Sequence, residues 1–143
     1  MRLPDVNVLV NAFRVDAPRH RDYRQWLTAL GEGPEPFAVT DLVLSGFLRV
    51  VTHHALQPTA RDLLAAREFV DTLRTRPNCV VVAPGPRQWA IFRRLCDLGG
   101  VRGKLVADAF HAATAIEWGH DWITDDADFA RFPGLRWRRP LDL

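Results

Sequence analysis

The chain has 143 residues, 48% of them hydrophobic and 25% charged, the make-up of one globular domain (residues 1–143) able to bury a core without disulfides. Nothing in it approaches the roughly 20 apolar residues of a membrane span, and Asp5, Asn7 and Asn11 break the N-terminal apolar stretch too early for a signal peptide, so a cytoplasmic protein without membrane contact is expected. A net charge of only +2 does not announce a nucleic-acid binder. Although Lys104 is the only one of 19 basic residues that is not Arg, whose planar fork suits phosphate, a G+C-rich coding sequence explains this at least as well, so composition carries no inference about a partner.

In chain order, residues 1–3 read as a first strand ending near Asp5, and residues 6–13 as a helix. Residues 20–30 form a second helical stretch, closed by Gly31 and Gly33, and Phe37-Ala38-Val39-Thr40 is a short strand. Residues 41–51 carry Leu42, Val43, Phe47 and Val50 at helical spacing. The next helix starts at Pro58 and Thr59, with Asp62 placed for a capping box, and Leu63, Ala66, Val70 and Leu73 form its apolar face. Residues 79–82 read as a buried strand stopped by Ala83-Pro84-Gly85-Pro86. Trp89, Phe92, Leu95 and Cys96 mark a helix ended by Gly99-Gly100, and Leu105, Ala109, Ala112 and Ile116 line another. Residues 121–124 read as a strand and residues 135–137 as a last edge strand. Strands alternating with helices predict an α/β fold: one three-layer domain with a mostly parallel central sheet of four to five strands flanked by helices. Cys79 and Cys96 lack zinc spacing and are expected as buried, reduced thiols.

The aspartates fall where these runs end. Asp5 follows the first strand, Asp108 opens a helix, and Asp126 and Asp128 lie in Thr124-Asp125-Asp126-Ala127-Asp128-Phe129. In an open α/β sheet such places converge at the carboxyl ends of the strands. Carboxylates gathered there repel one another and call for a cation, Mg²⁺ or alternatively Mn²⁺; no basic partner for them is evident. Taken singly, each has an ordinary role: Asp108 can stabilise the start of its helix, and Asp126 or Asp128 can cap a turn. Three chain segments each delivering a carboxylate, from Asp5, Asp108 and the Asp126–Asp128 turn, point jointly to a metal-dependent phosphodiester-cleaving site. Asn7 either hydrogen-bonds the Asp5 carboxylate or caps the helix that begins there, and the Thr124 hydroxyl can fix the loop presenting Asp126.

Other motifs fail on spacing. Gly99-Gly100-Val101-Arg102-Gly103-Lys104-Leu105 lacks the spacing and the hydroxyl of a phosphate loop, and Asp126-Ala127-Asp128 lacks the later positions of a calcium loop. His111, three residues after Asp108, reads as a helix-surface or packing histidine rather than a member of the site, and His53-His54 as a polar helix end.

Together, Leu3-Pro4-Asp5-Val6-Asn7-Val8-Leu9, Phe47-Leu48-Arg49-Val50, Leu105-Val106-Ala107-Asp108-Ala109 with Ala112-Ala113, and Thr124-Asp125-Asp126-Ala127-Asp128-Phe129 with Phe132-Pro133-Gly134-Leu135 resemble a PIN-domain endoribonuclease, specifically a toxin of the VapBC type II toxin–antitoxin pairs. The resemblance spans essentially the whole chain. It implies Mg²⁺ held chiefly by Asp5 and Asp108, with Asp126 completing the site and Asp128 assisting. It further implies cleavage of RNA, often of the translation machinery, inhibition by a cognate antitoxin and a tendency to homodimerise.

One position departs from the family. Where a helix Glu is common, immediately before the Phe-Leu-Arg stretch, this chain has Gly46. Asp41, five residues earlier, lies about 140° away around a helix and does not replace it. A catalytically weak PIN-fold module that binds RNA or protein is therefore the alternative expectation.

Overall fold

The computed structural model describes the backbone of residues 1–143 and the side chains of all but residues 60 and 99. Its five strands are β1 (Arg2–Pro4), β2 (Phe37–Val39), β3 (Cys79–Val81), β4 (Asp121–Ile123) and β5 (Arg136–Arg138). Its six helices are α1 (Val6–Phe13), α2 (His20–Glu32), α3 (Asp41–Val51), α4 (Ala60–Arg74), α5 (Gln88–Gly99) and α6 (Leu105–Trp118). The strands make one sheet in the order β3-β2-β1-β4-β5, every neighbouring pair parallel. Helices α1 to α4 pack among themselves and α5 packs on α6, giving the three-layer α/β arrangement expected from the alternating pattern.

Burial follows strand position. Leu3 of β1 and all of Phe37, Ala38 and Val39 in β2 are inaccessible, as continuous apolar runs in the middle of a parallel sheet should be. On one side of the sheet Phe47 packs edge-on to Phe13 at 5.3 Å and tilted on Phe69 at 5.0 Å. Fully buried Trp122 of β4 carries the ring of Phe129 at 5.4 Å. None of the helices is long and apolar enough to cross a membrane.

Three expectations change. Residues 79–82 are not a buried strand: β3 is the sheet edge, bonded only to β2, and leaves Val80 and Val81 each 41% exposed. An apolar run of that length looks the same in sequence whether it has one neighbour or two. Helix α2 does not stop at Gly31 but runs to Glu32 and is capped by Gly33; Gly31 is buried, with the Arg76 side chain where a Cβ would point. Cys79 and Cys96 are free thiols but half-buried rather than buried. The capping box of α4 forms, Thr59 N–H donating to Asp62 Oδ2 at 2.8 Å and Asp62 N–H to Thr59 Oγ1 at 3.2 Å.

Candidate active site

The chain leaves β1 with β2 on one side and β4 on the other. Such a junction, at the carboxyl ends of the strands, is where an open α/β sheet forms a crevice. Asp5 is the first residue past β1, and its N–H extends the ladder by donating to the Ile123 carbonyl at 2.8 Å. It is also the N-cap of α1, with Oδ1 accepting from Val6 N–H at 2.6 Å. The cap role weighed for Asn7 therefore belongs to Asp5. Asn7 instead donates from Nδ2 to Asp5 Oδ2 and to Thr124 Oγ1, each at 2.8 Å.

Thr124, inaccessible at the end of β4, ties the cluster together. Its hydroxyl donates to Asp5 Oδ2 at 2.7 Å and accepts from Asp126 N–H at 3.1 Å. With Asn7 as second donor, the one proton and two lone pairs of the hydroxyl are all used. Asn7 Oδ1 takes the Asp125 N–H at 3.4 Å, so the turn after β4 is bound through Asn7 and Thr124 to the start of α1.

Asp5 is only 7% exposed, and burial pushes its carboxyl up to about 6. Hydrogen bonds from Thr124 and Val6 counter the rise, and the charges of Asp108 and Asp126 add to it. Asp108 sits in the first turn of α6. Burial and the neighbouring Asp126 raise its carboxyl, Lys104 and Arg131 pull it down, and Asp128 pushes it up. Asp126 caps the 3₁₀ turn Ala127–Arg131, Oδ1 accepting from Asp128 N–H at 2.8 Å. Carboxylates from three chain segments thus feel one another's charge at one end of the sheet.

Asp128 does have basic partners, contrary to the sequence-based expectation: Arg131 at 3.4 Å and Lys104 at 3.7 Å. Lys104 precedes α6 and reaches a residue 24 positions later, a pairing that spacing along the chain does not show. Asp41 is drawn away to Arg74 at 3.2 Å. Among the described residues no three His, Cys, Asp or Glu side chains form a closed cluster able to hold an ion by themselves. His111 is a packing histidine as expected: its ring stacks on Trp122 at 5.2 Å, and burial pulls its imidazole down to about 4.

One residue of this region escaped the sequence. The buried Tyr23 of α2 donates its hydroxyl to Asp125 Oδ2. A tyrosine in the apolar stripe Tyr23, Leu27, Leu30 carries a faint signal, since a buried hydroxyl requires a partner. Gly46, where the family has a carboxylate, faces α1: a Cβ there would stand 3.0 Å from Val6 Cγ2.

The chain matches the PIN domain over residues 2–135. It is 43% identical to ribonuclease VapC43 of Mycobacterium tuberculosis across 96% of this chain and 94% of the relative. It is 38% identical to ribonuclease VapC25 of the same species across 98% and 99%. Among solved structures it resembles FitAcB from Neisseria gonorrhoeae at a TM-score of 0.73 and 18% identity, covering 100% of both chains. VapBC2 from Rickettsia felis, bound to a DNA fragment from its promoter, gives a TM-score of 0.70 at 18% identity over 96% of this chain and 97% of that one. At such identities the two structures speak to the fold.

Proposed function

The chain belongs to the PIN-domain family, among its VapC ribonucleases, and from that premise we propose that it is the RNA-cleaving toxin of a VapBC pair, hydrolysing phosphodiester bonds with Mg²⁺ or Mn²⁺. The supporting observation is the Asp5 carboxyl at the crevice end of the sheet, pushed up to about 6 by burial and further by the charges of Asp108 and Asp126. The donor set fits a hard divalent cation, which takes carboxylate oxygens and, for Mg²⁺, keeps several waters, so one or two protein ligands suffice.

Asp5 and Asp108 would hold the ion, with Asp126 as the further acidic ligand. When bound, the ion supplies Lewis-acid polarisation of a phosphoryl oxygen and acidifies a water. Asn7 and Thr124 fix the orientation of the Asp5 carboxylate through their shared hold on Oδ2. Asp128, at the rim between Lys104 and Arg131, is a catalytic acid with its side chain 44% exposed. The substrate is cellular RNA, structured RNA of the translation machinery by family resemblance, and the protein acts in the cytoplasm. A cognate antitoxin is the partner, consistent with the toxin–antitoxin complex from Klebsiella pneumoniae among the similar folds, and the toxin is a homodimer.

Purified protein is incubated with total RNA with Mg²⁺, with Mn²⁺ and with EDTA. Discrete fragments that need the metal and vanish in Asp5→Asn are expected; intact RNA under every condition refutes the activity. A PIN module that binds RNA without cutting it is the second possibility, motivated by Gly46 in the Glu position. It would retain RNA in a filter-binding assay while leaving it uncut.

A further inference from the structure

We infer that Tyr23 is a positioning residue for the acidic site, acting through Asp125 to hold the turn that presents Thr124 and Asp126. This inference rests on the nuclease function proposed above. The turn after β4 is gripped from two directions. From α1, Asn7 takes the Asp125 N–H at 3.4 Å and donates at 2.8 Å to the Thr124 hydroxyl, which itself takes the Asp126 N–H at 3.1 Å. From α2, the Tyr23 hydroxyl holds the Asp125 side chain, and it is the only side chain among the described residues that does so.

Tyr23 is suited to the task because it is only 6% exposed, in the core beside Leu27 and Leu30. A rigid ring anchored in that way gives Asp125 a fixed partner. Released from Tyr23, Asp125 would be a further mobile carboxylate next in sequence to Asp126. Residues that orient a metal ligand from behind typically matter 10–100-fold in affinity or rate.

The test compares the full chain with Tyr23→Phe, Asp125→Ala, the double variant and Leu27→Ala. Mn²⁺ affinity is measured by calorimetry, and RNA cleavage is resolved into kcat and KM. Tyr23→Phe should weaken Mn²⁺ binding about tenfold or more and lower kcat with KM unchanged. Asp125→Ala should reproduce both losses, and the double variant should be no worse than either single one. Leu27→Ala, on the same helix face, should lower the unfolding midpoint and keep its Mn²⁺ affinity. Full affinity and kcat in a folded Tyr23→Phe, or losses that multiply in the double variant, overturn the inference. If Tyr23→Phe does not fold, Asp125→Ala alone decides by the same criteria. A wild-type chain that neither binds Mn²⁺ nor cuts RNA would overturn the nuclease function itself, a result distinct from a wild type that does both while Tyr23→Phe matches it.

Discussion

Gly46 and Val6 meet where α3 crosses α1, and a Cβ on Gly46 would stand 3.0 Å from Val6 Cγ2. Val6 is also the residue whose N–H holds Asp5 Oδ1, so crowding at position 46 is transmitted to the residue beside the site. Replacing a helical Gly by Ala favours the helix by about 1 kcal/mol, and overpacking costs about 1–3 kcal/mol. Gly46→Ala alone should therefore be neutral to destabilising. In a Val6→Ala background the crowding is gone, and the same change should stabilise by about 1 kcal/mol. Gly46→Glu should be less stable in EDTA and gain more from Mn²⁺ than the wild type does. Urea unfolding of the four-variant cycle, with calorimetry on Gly46→Glu, checks each point; identical effects of Gly46→Ala in both backgrounds would rule out the contact.

Asp5 and His111 give stability opposite dependences on pH. The Asp5 carboxyl is raised from 3.8 to about 6, so the native state binds the extra proton and stability falls as pH rises through that window. Its full cost, on the order of 3 kcal/mol, is present above about 6. The His111 ring is lowered from 6.5 to about 4. Here the unfolded state binds the extra proton, so stability rises with pH from about 4 to 6.5 by a similar order of magnitude. Between about 4 and 6 the two slopes oppose. In EDTA, Asp5→Asn should leave a stability that climbs with pH, and His111→Phe one that drops. Denaturant unfolding across this range reads both, and a slope indifferent to either substitution would count against the shifts.

Divalent metal should stabilise the protein. An ion that binds only the native state at a hundredfold excess over Kd adds about 2.7 kcal/mol, which corresponds to a rise in midpoint of roughly 8 °C for a chain of this size. Asp108→Asn removes a charge that acts on Asp5. That variant should be at least as stable as the wild type in EDTA, yet fail to respond to Mg²⁺ or Mn²⁺. A wild-type midpoint unmoved by saturating metal would remove the ion from the proposed chemistry.

Glu117 near the end of α6 pins the loop that leads into α5. Its carboxylate is 8% exposed and accepts from Gly85 N–H and Arg87 N–H, both at 2.7 Å. Hydrogen bonds to a charged group contribute about 1.5–3 kcal/mol each, so Glu117→Gln should be clearly destabilising. A Cβ at position 85 would lie 2.6 Å from the same carboxylate, so Gly85→Ala should also destabilise. Combined with Glu117→Ala, Gly85→Ala should cost little more. Additive losses would show that position 85 is constrained by something else.

Arg138 and Arg139 are expected to hold RNA phosphate. Arg138 pairs in register with Ile123, and its carbonyl accepts the Thr124 N–H at 3.0 Å, which sets Arg139 level with the site. Both are exposed, and among the described residues neither forms an ion pair. Replacing both by Ala should raise KM, leave kcat unchanged and flatten the salt dependence of RNA binding by about 0.7 per lost phosphate contact. An unchanged salt slope would place the RNA elsewhere.

The alternation of strands and helices and the ends of most elements were legible because core periodicity and capping are local. The strand-end positions of Asp5 and Thr124 followed from the same pattern. The exposed edge at β3 was not legible, because neighbour count in a sheet depends on topology. Neither were the Lys104–Asp128 pair and the Tyr23–Asp125 bond, each joining elements that only the folded chain brings together. Gly46 was visible as a departure from the family, but its reason, the close approach of Val6, belongs to helix packing.

The bond between the Thr124 hydroxyl and Asp5 spans 119 positions. During synthesis at about 5–20 residues per second, Asp5 therefore waits on the order of ten seconds for the residue that orients it. A nascent or prematurely terminated chain carries the first carboxylate without the turn of Asp126 and cannot assemble the cleft. For a protein proposed to destroy RNA of the translation machinery, cutting ability on this geometry waits until the chain has been made past Asp126.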